Sequence, residues 1–278
     1  MNNIIEENVI PHKDLTSFSD EANILAVMRD IIYTLNEQED TAEIFKAITN
    51  LRQFNKYNSF LFSEIFNSVF NRFIYIYGSG DDPKVSLNST YLVKEIFSYR
   101  EDYIQDWIKD LLHITLLKVL CEEDQLIKEQ ALIALHNLTD KMHFGEVIEI
   151  LIEYINLDDF SELSFQLLYA LIKKFDQGIL ENLENWDNIF MEMLEMYNSG
   201  LTKHKNYSKE LFICIYEKIG RERFEEFLKR ASINEDNLSY VEIVIGEIYP
   251  EEIFNFSQKF ASLNSNSKIK SANTRVHV

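Results

Sequence analysis

The residues that come nearest to a phosphate-binding loop are 78–83, with the sequence Gly-Ser-Gly-Asp-Asp-Pro. Glycines ahead of a helix let backbone N–H groups approach a phosphate closely. This run has neither the GxxxxGK[ST] nor the GxGxxG spacing, and no strand pattern precedes it. The sequence therefore predicts a long loop between two helices at this place, and no nucleotide site.

The histidines and cysteines of the sequence form no motif typical of a metal site or a redox-active thiol pair. His136 and His143 are candidate ligands, but they lie seven positions apart across a predicted helix boundary, whereas a metal needs three or four convergent ligands. The two cysteines, Cys121 and Cys214, lie far apart and form no CxxC pair. Cys214 sits in an apolar stretch and is predicted to be a small core residue. We therefore expect no metal, no cofactor and a reducing compartment.

Paired carboxylates could support acid–base catalysis if they met in a concave site. The acidic runs 122–124 and 181–184 are predicted to be solvated helix faces instead. Trp107 and Trp186 fall on apolar stripes and are predicted to be core residues. The sequence thus predicts a protein that is not an enzyme.

The charge of the chain also limits its partners. It carries 27 basic and 46 acidic residues, for a net charge of −19 over 278 residues. Phosphate backbones and anionic membrane surfaces attract the opposite charge, so nucleic-acid and membrane binding are disfavoured. No signal peptide or membrane-spanning run is predicted, and a cytoplasmic location is expected.

Apolar residues recur at helical spacing almost throughout, while the helix breakers glycine and proline number only 7 and 3. About twelve helices follow. The second helices of successive pairs are predicted to begin near Thr41, Lys84, Glu123, Asp159 and His204. A period near 40 residues with two helices per unit is typical of HEAT repeats. We predict an all-α fold, an α-solenoid of about six HEAT-like hairpins. An irregular helical domain with coincidental spacing is the alternative.

The two ends differ from the array predicted for residues 18–261. Residues 1–17 are predicted to be an N-terminal extension, either disordered or lying as a strap along the first repeat. Residues 262–278 are polar, cannot bury apolar surface, and are predicted to be a disordered tail.

Three segments resemble a family. Residues 47–52 (Ala-Ile-Thr-Asn-Leu-Arg), 124–131 (Asp-Gln-Leu-Ile-Lys-Glu-Gln-Ala) and 215–228 (a helix ending in Gly220, then an aromatic-rich segment) resemble the first, third and sixth repeats of a TOG domain. The branch that fits best is CLASP-like, over roughly residues 19–248. The resemblance implies six HEAT repeats that bind tubulin through the turns inside each hairpin.

That resemblance also implies site residues. TOG domains place an aromatic residue, usually tryptophan, in the first turn, and Thr41 stands at that position here. They place basic residues in later turns. The residues carried over as partner-binding are therefore Thr41, Lys84, Lys128, Lys203, Lys205 and Lys209. Lysines are also common in turns for reasons of solubility alone. Phe160, an apolar turn residue, is either an interface anchor or packs on a neighbouring repeat.

Two functions stay open at this point. The first is a non-catalytic array that binds tubulin or a microtubule-associated protein in the cytoskeleton, a cilium or a spindle. The second is a HEAT-type adaptor in another intracellular complex, which binds a basic partner through its acidic faces. The sequence does not decide the oligomeric state.

Overall fold

A computed structural model describes residues 9–18, 21–99, 106–141, 145–157, 159–174, 186–230 and 235–249. Within these residues the chain is all-α, with no strand and with one short 3-10 turn at His12–Asp14. The helices are α1 (Glu21–Glu37), α2 (Thr41–Tyr57), α3 (Ser59–Ser79), α4 (Pro83–Tyr99), α5 (Ile108–Cys121), α6 (Gln125–Lys141), α7 (Gly145–Ile155), α8 (Ser161–Lys174), α9 (Trp186–Asn198), α10 (Thr202–Arg230) and α11 (Glu235–Ile248). They fall into two compact units, Met1–Met142 and His143–Val278.

The first unit stacks three hairpins, α1–α2, α3–α4 and α5–α6, in two layers. The second helices α2, α4 and α6 pack side by side in one layer, and the first helices α1, α3 and α5 form the other. The second helices begin at Thr41, Pro83 and Gln125, at steps of 42 residues. This is the layout of an α-solenoid, and it confirms the predicted fold class.

The second unit repeats the same layout with α7–α8, α9–α10 and the end of α10 with α11. Its second helices α8 and α10 begin at Ser161 and Thr202. Helix α10 is interrupted at Gly220, whose φ of 76° and ψ of 169° lie outside the helical region. A side chain disfavours positive φ, so glycine fits this position. The helix end predicted at Gly220 is confirmed there.

Helix α4 is the most enclosed element of the first unit, because it packs on α2, α3 and α6. Residues 85–90 are all buried, including polar residues such as Asn88 and Ser89. An ordinary surface helix would leave one face in water. The polar side chains of α4 therefore need partners inside the protein.

Aromatic residues fill the space between α3 and α5. Trp107 is buried, as predicted, and its ring meets those of Phe62 and Phe66 edge to face. Its Nε1 donates a hydrogen bond to Asn67 Oδ1 at 2.8 Å. In the second unit Cys214 is buried, as predicted.

The loop predicted at residues 78–83 is too long. Helix α3 continues to Ser79, and Gly80 ends it with a left-handed φ of 66°. Pro83 then begins α4, where its missing N–H is no loss. Only three residues connect the two helices. Gly78 stays in the helix, and only Gly80 adopts the left-handed conformation that ends it.

Several predictions lie outside the described residues. These are His143, the acidic run 181–184 and the polar tail at 262–278; the side chain of Trp186 is likewise not described. The predicted array boundaries at 18 and 261 also stay predictions. None of the described helices is long and apolar enough to cross a membrane.

Candidate binding surfaces

The three hairpins of the first unit close with turns of three residues that share one geometry. Each turn ends in an aspartate: Asp40, Asp82 and Asp124. One carboxylate oxygen of each aspartate accepts hydrogen bonds from the backbone N–H groups two and three residues later, at 2.8–3.2 Å. Such N-caps satisfy N–H groups that the helix leaves unbonded. These three aspartates therefore have a structural role.

The residue before each cap is acidic as well, but it has no such role. Glu39, Asp81 and Glu123 are exposed and lie 42 residues apart. Within the described part of the chain, their carboxylates make no hydrogen bond or ion pair. Starting the helices does not require them. We call these three residues the turn-edge carboxylates.

Clefts lie between neighbouring turns. The first has a volume of about 300 Å³ and is lined by residues that include Glu39, Thr41, Arg72, Tyr75 and Asp81. Tyr75 is exposed, and the guanidinium of Arg72 lies 4.9 Å from its ring centre. The cleft combines carboxylates with an accessible aromatic ring, a combination that suits a cationic side chain.

The second cleft has a volume of about 430 Å³ and lies between the turns of the second and third hairpins. Its lining includes Gly80, Lys118, Glu122 and Glu123. Lys118 is buried, and its Nζ donates to Ser86 Oγ at 2.8 Å and lies 3.4 Å from Glu122 Oε2. Burial lowers the pKa of Lys118, while Glu122 opposes that shift. This lysine is committed to protein partners and so supports the cleft wall.

The site residues predicted in the first unit lie on different helices. Thr41 is the exposed first residue of α2 and lines the first cleft. Lys84 is exposed as the second residue of α4, two positions after Asp82. Lys128 lies inside α6, not in the turn, and is half-buried. Carboxylates therefore dominate the turns of this unit.

The second unit holds the other predicted residues. Phe160 is half-buried with its ring 5.4 Å from that of Tyr154 in α7, so it packs on its own hairpin. Lys203 and Lys205 are exposed near the start of α10, and Lys209 is half-buried one turn after Lys205. The Nζ of Lys205 lies 5.1 Å from the ring centre of Tyr197. These lysines form a small basic area beside the fifth turn.

A second surface is covered by the chain itself. Residues 9–18, which we call the strap, run across the layer of second helices. Val9 is buried and packs in a cluster with Leu87 of α4 and Ile127 of α6. Near the end of α2, Lys56 Nζ donates to the carbonyl oxygens of three strap residues. Residues 9–18 therefore contact helices beyond the first hairpin.

A buried ion pair lies next to the strap. Arg52 of α2 is fully buried, and its Nη2 donates to Glu95 Oε1 of α4 at 2.6 Å. Its Nη1 donates to Asn88 Oδ1 at 2.8 Å. The Nδ1 of His12, a strap residue, lies 3.1 Å from the same Glu95 oxygen. The strap therefore helps to shield a charge pair that joins two hairpins.

Sequence reasoning missed the turn-edge carboxylates, although their spacing of 42 residues was visible. Glutamate and aspartate are common on solvated surfaces, so the acidic run 122–124 was assigned to such a face. Among the described residues, no group of three or more potential ligands is placed to hold a metal ion.

Comparisons with known proteins add the following. No family model and no curated protein matches the chain. One solved structure that matches is described as "Designed armadillo repeat protein YIII(Dq.V1)4CPAF in complex with peptide (KR)4". The identity is 12%, the alignment covers 78% of this chain and 98% of that one, and the TM-score is 0.41. At these values the likeness supports no statement about function.

Proposed function

We propose that this chain is a non-catalytic protein-binding array, and that the turn edge of its first unit binds a basic segment of a partner protein. The observation that carries the proposal is the set of exposed carboxylates of Glu39, Asp81 and Glu123, repeated once per hairpin beside two clefts. Capping explains the neighbouring aspartates but leaves these three residues without a structural role.

The geometry of stacked helices suggests a spacing for the partner. Packed helices lie about 8–10 Å apart, and an extended chain advances about 3.3 Å per residue. Carboxylates on successive hairpins therefore match basic residues about three positions apart. Tyr75 of the first cleft is exposed, but Arg72 already lies over its ring, so the carboxylates are the contacts proposed for the basic side chains.

The test uses the full chain and a fluorescent peptide with lysine at every third position among glycines and serines. The edge variant carries Glu39→Lys, Asp81→Lys and Glu123→Lys and keeps all three caps. The control variant carries Asp30→Lys, Glu64→Lys and Asp110→Lys, which are exposed residues on helices of the same unit. Both variants change the net charge equally.

We expect the edge variant to bind the peptide at least tenfold more weakly than the wild type, and the control variant to lose much less. Binding should weaken as salt rises, because exposed charges are screened. An equal loss in both variants would mean that only net charge matters and would reject the proposed edge.

Tubulin binding, which the TOG resemblance implies, is the second candidate. It is favoured by exposed Lys203 and Lys205 beside a fifth turn of uncharged residues, Ser199–Gly200–Leu201. Tubulin is acidic, so this basic area would be the contact. Co-sedimentation with microtubules should then be lost in a Lys203→Glu/Lys205→Glu variant and kept in the edge variant. Absence of wild-type binding to tubulin in either form would reject this candidate.

A further inference from the structure

The strap places every third residue against the second helices. Val9 and Leu15 are 6% and 2% exposed, His12 is half-buried between them, and the intervening Ile10 and Lys13 are exposed. The backbone of Pro11 (φ −59°, ψ 148°) and of Leu15 (φ −62°, ψ 131°) lies in the polyproline II region. Between them, His12–Asp14 form a 3-10 turn. Both conformations have three residues per turn, so residues three positions apart lie on the same face of the segment, which points at the helices.

The helices hold this segment largely by its backbone. Lys56 Nζ lies 2.7 Å from the carbonyl oxygen of His12, 3.1 Å from that of Leu15 and 3.2 Å from that of Lys13. The hydroxyl of Tyr57 donates to the Leu15 carbonyl as well. The carbonyl groups converge on Lys56 because residues 12–14 form a 3-10 turn, so another segment that adopts the same turn can make these contacts.

Side-chain contacts are few and define a pattern. Val9 fits an apolar site built from α4 and α6, with the partly buried Phe45, Tyr91 and Leu126 around it. The imidazole of His12 stacks on Tyr99 with ring centres 5.1 Å apart, and its Nδ1 lies 3.1 Å from Glu95 Oε1. This pattern selects an apolar residue, then a ring or cationic group three residues later, then a second apolar residue.

We propose that the layer of α2, α4 and α6 is a peptide-binding groove, and that residues 9–18 are its internal competitor. The partner is a segment of another protein that forms the same 3-10 turn between two apolar side chains six residues apart, with a basic or imidazole side chain midway. This groove is separate from the turn-edge carboxylates, so the proposal does not depend on the function assigned to them.

Replacement of the strap by a partner segment is favoured over a state in which the groove is empty. Without the strap, the apolar site around Leu87 and Ile127 would face water, and the Arg52–Glu95 pair would lose part of its cover. A partner segment that fits the same pattern restores these contacts one for one. Only molecules with the strap undocked can bind the partner, so the partner's apparent affinity equals its intrinsic affinity multiplied by the undocked fraction.

The first experiment measures binding of a fluorescein-labelled peptide of residues 9–18 to full-length variants. The open variant carries Val9→Asp and Leu15→Asp, which place charges in apolar sites. The control carries Ile10→Asp and Thr16→Asp, two exposed strap positions with the same added charge. We expect the open variant to bind the peptide at least tenfold more tightly than the wild type or the control. A peptide with both aspartates should not bind.

Strap release is checked by trypsin cleavage after Lys13, whose carbonyl is held by Lys56 in the docked state. If the open variant is cleaved faster, keeps its circular dichroism spectrum, and still binds the peptide no more tightly than the wild type, the proposal is wrong. The second experiment covers the case in which the open variant does not fold.

The second experiment uses the wild-type chain and an excess of the peptide with Lys13→Gln, which trypsin cannot cut. Displacement of the strap should accelerate cleavage of the chain's own Lys13–Asp14 bond in proportion to the bound peptide. An unchanged rate at saturating peptide would overturn the proposal. So would light scattering that shows dimers formed by mutual strap exchange, because the occupant would then be a second copy.

Discussion

Within each unit a polar bridge joins two consecutive second helices. The bridge is an ion pair in the first unit and a serine–histidine contact in the second. In the first unit Arg52 of α2 pairs with Glu95 of α4, and both side chains are almost fully buried. In the second unit His204 of α10 lies 3.1 Å from Ser161 Oγ of α8 and 3.3 Å from Ser199 Oγ. Both the Arg52–Glu95 and the Ser161–His204 bridges span 43 residues.

The difference shows that the hairpin repeat fixes where a bridge lies but not its chemistry. A buried ion pair carries a large desolvation cost, which strong hydrogen bonds must offset. Hydroxyl and imidazole groups carry a smaller cost. The first unit therefore depends more on keeping its bridge intact, and the strap lies where it can shield that bridge.

The largest effect is expected from Arg52→Met. The variant leaves the Glu95 carboxylate buried without its cation, which should lower the free energy of unfolding by about 3–5 kcal/mol. The double variant Arg52→Met/Glu95→Leu should regain most of that loss, because it removes both charges. Urea unfolding followed by circular dichroism at pH 7 measures both; a single variant within about 1 kcal/mol of wild type would contradict the assigned importance of the pair.

Each unit carries one cysteine, and their reactivities should differ. Cys121 is exposed, whereas burial raises the pKa of Cys214 to about 11. At pH 8 the thiolate fraction of Cys214 is then roughly a hundredth of that of an ordinary thiol. We expect a thiol reagent to modify Cys121 quickly and Cys214 slowly, and the Cys121→Ser variant should lose the fast phase of the reaction. Two fast equivalents in the native protein would contradict the burial of Cys214.

The Ser161–His204 bridge of the second unit should matter less than the Arg52–Glu95 pair of the first. His204→Ala removes the partner of two serine hydroxyls and should cost about 2 kcal/mol of unfolding free energy. Thermal and urea unfolding of this variant beside Arg52→Met compare the two bridges directly. A larger loss from His204→Ala than from Arg52→Met would reverse the comparison.

The smallest change in stability is expected in the second turn, where the capping carboxylate of Asp82 can be compared with the turn-edge carboxylate of Asp81. Asp82→Ala removes an N-cap and should cost about 1 kcal/mol. Asp81→Ala alters an exposed side chain and should stay within about 0.5 kcal/mol. In peptide binding the order should reverse, with Asp81→Ala the more harmful. Equal effects of both variants in both assays would show that the two carboxylates share one role.

Most of the fold could be predicted because helical periodicity is a local property. The apolar spacing around Ile44, Ile48 and Leu51 places α2, and the break at Gly220 follows from the backbone freedom of glycine. The end of α3 was placed too early, since Gly78 and Ser79 are compatible with either a helix or a loop. Local sequence does not decide between them.

The surfaces could be predicted only in part. Arg52 belongs to a segment that was singled out, but its pairing with Glu95 depends on how α2 and α4 align, which no local pattern contains. Position relative to the caps would have distinguished the turn-edge carboxylates from other acids. The TOG resemblance implies lysines in the turns, whereas the turns of the first unit carry carboxylates.

The docking of Val9 against Ile127 also has a consequence for folding during synthesis. The strap is translated before all three helices that it covers. At 5–20 residues per second, roughly 6–24 seconds pass before the ribosome has added the 118 residues that separate these two side chains. During that interval the growing chain carries an undocked strap and an incomplete groove. Each new molecule therefore passes through a period in which the strap has no complete groove to dock in and is open to a chaperone.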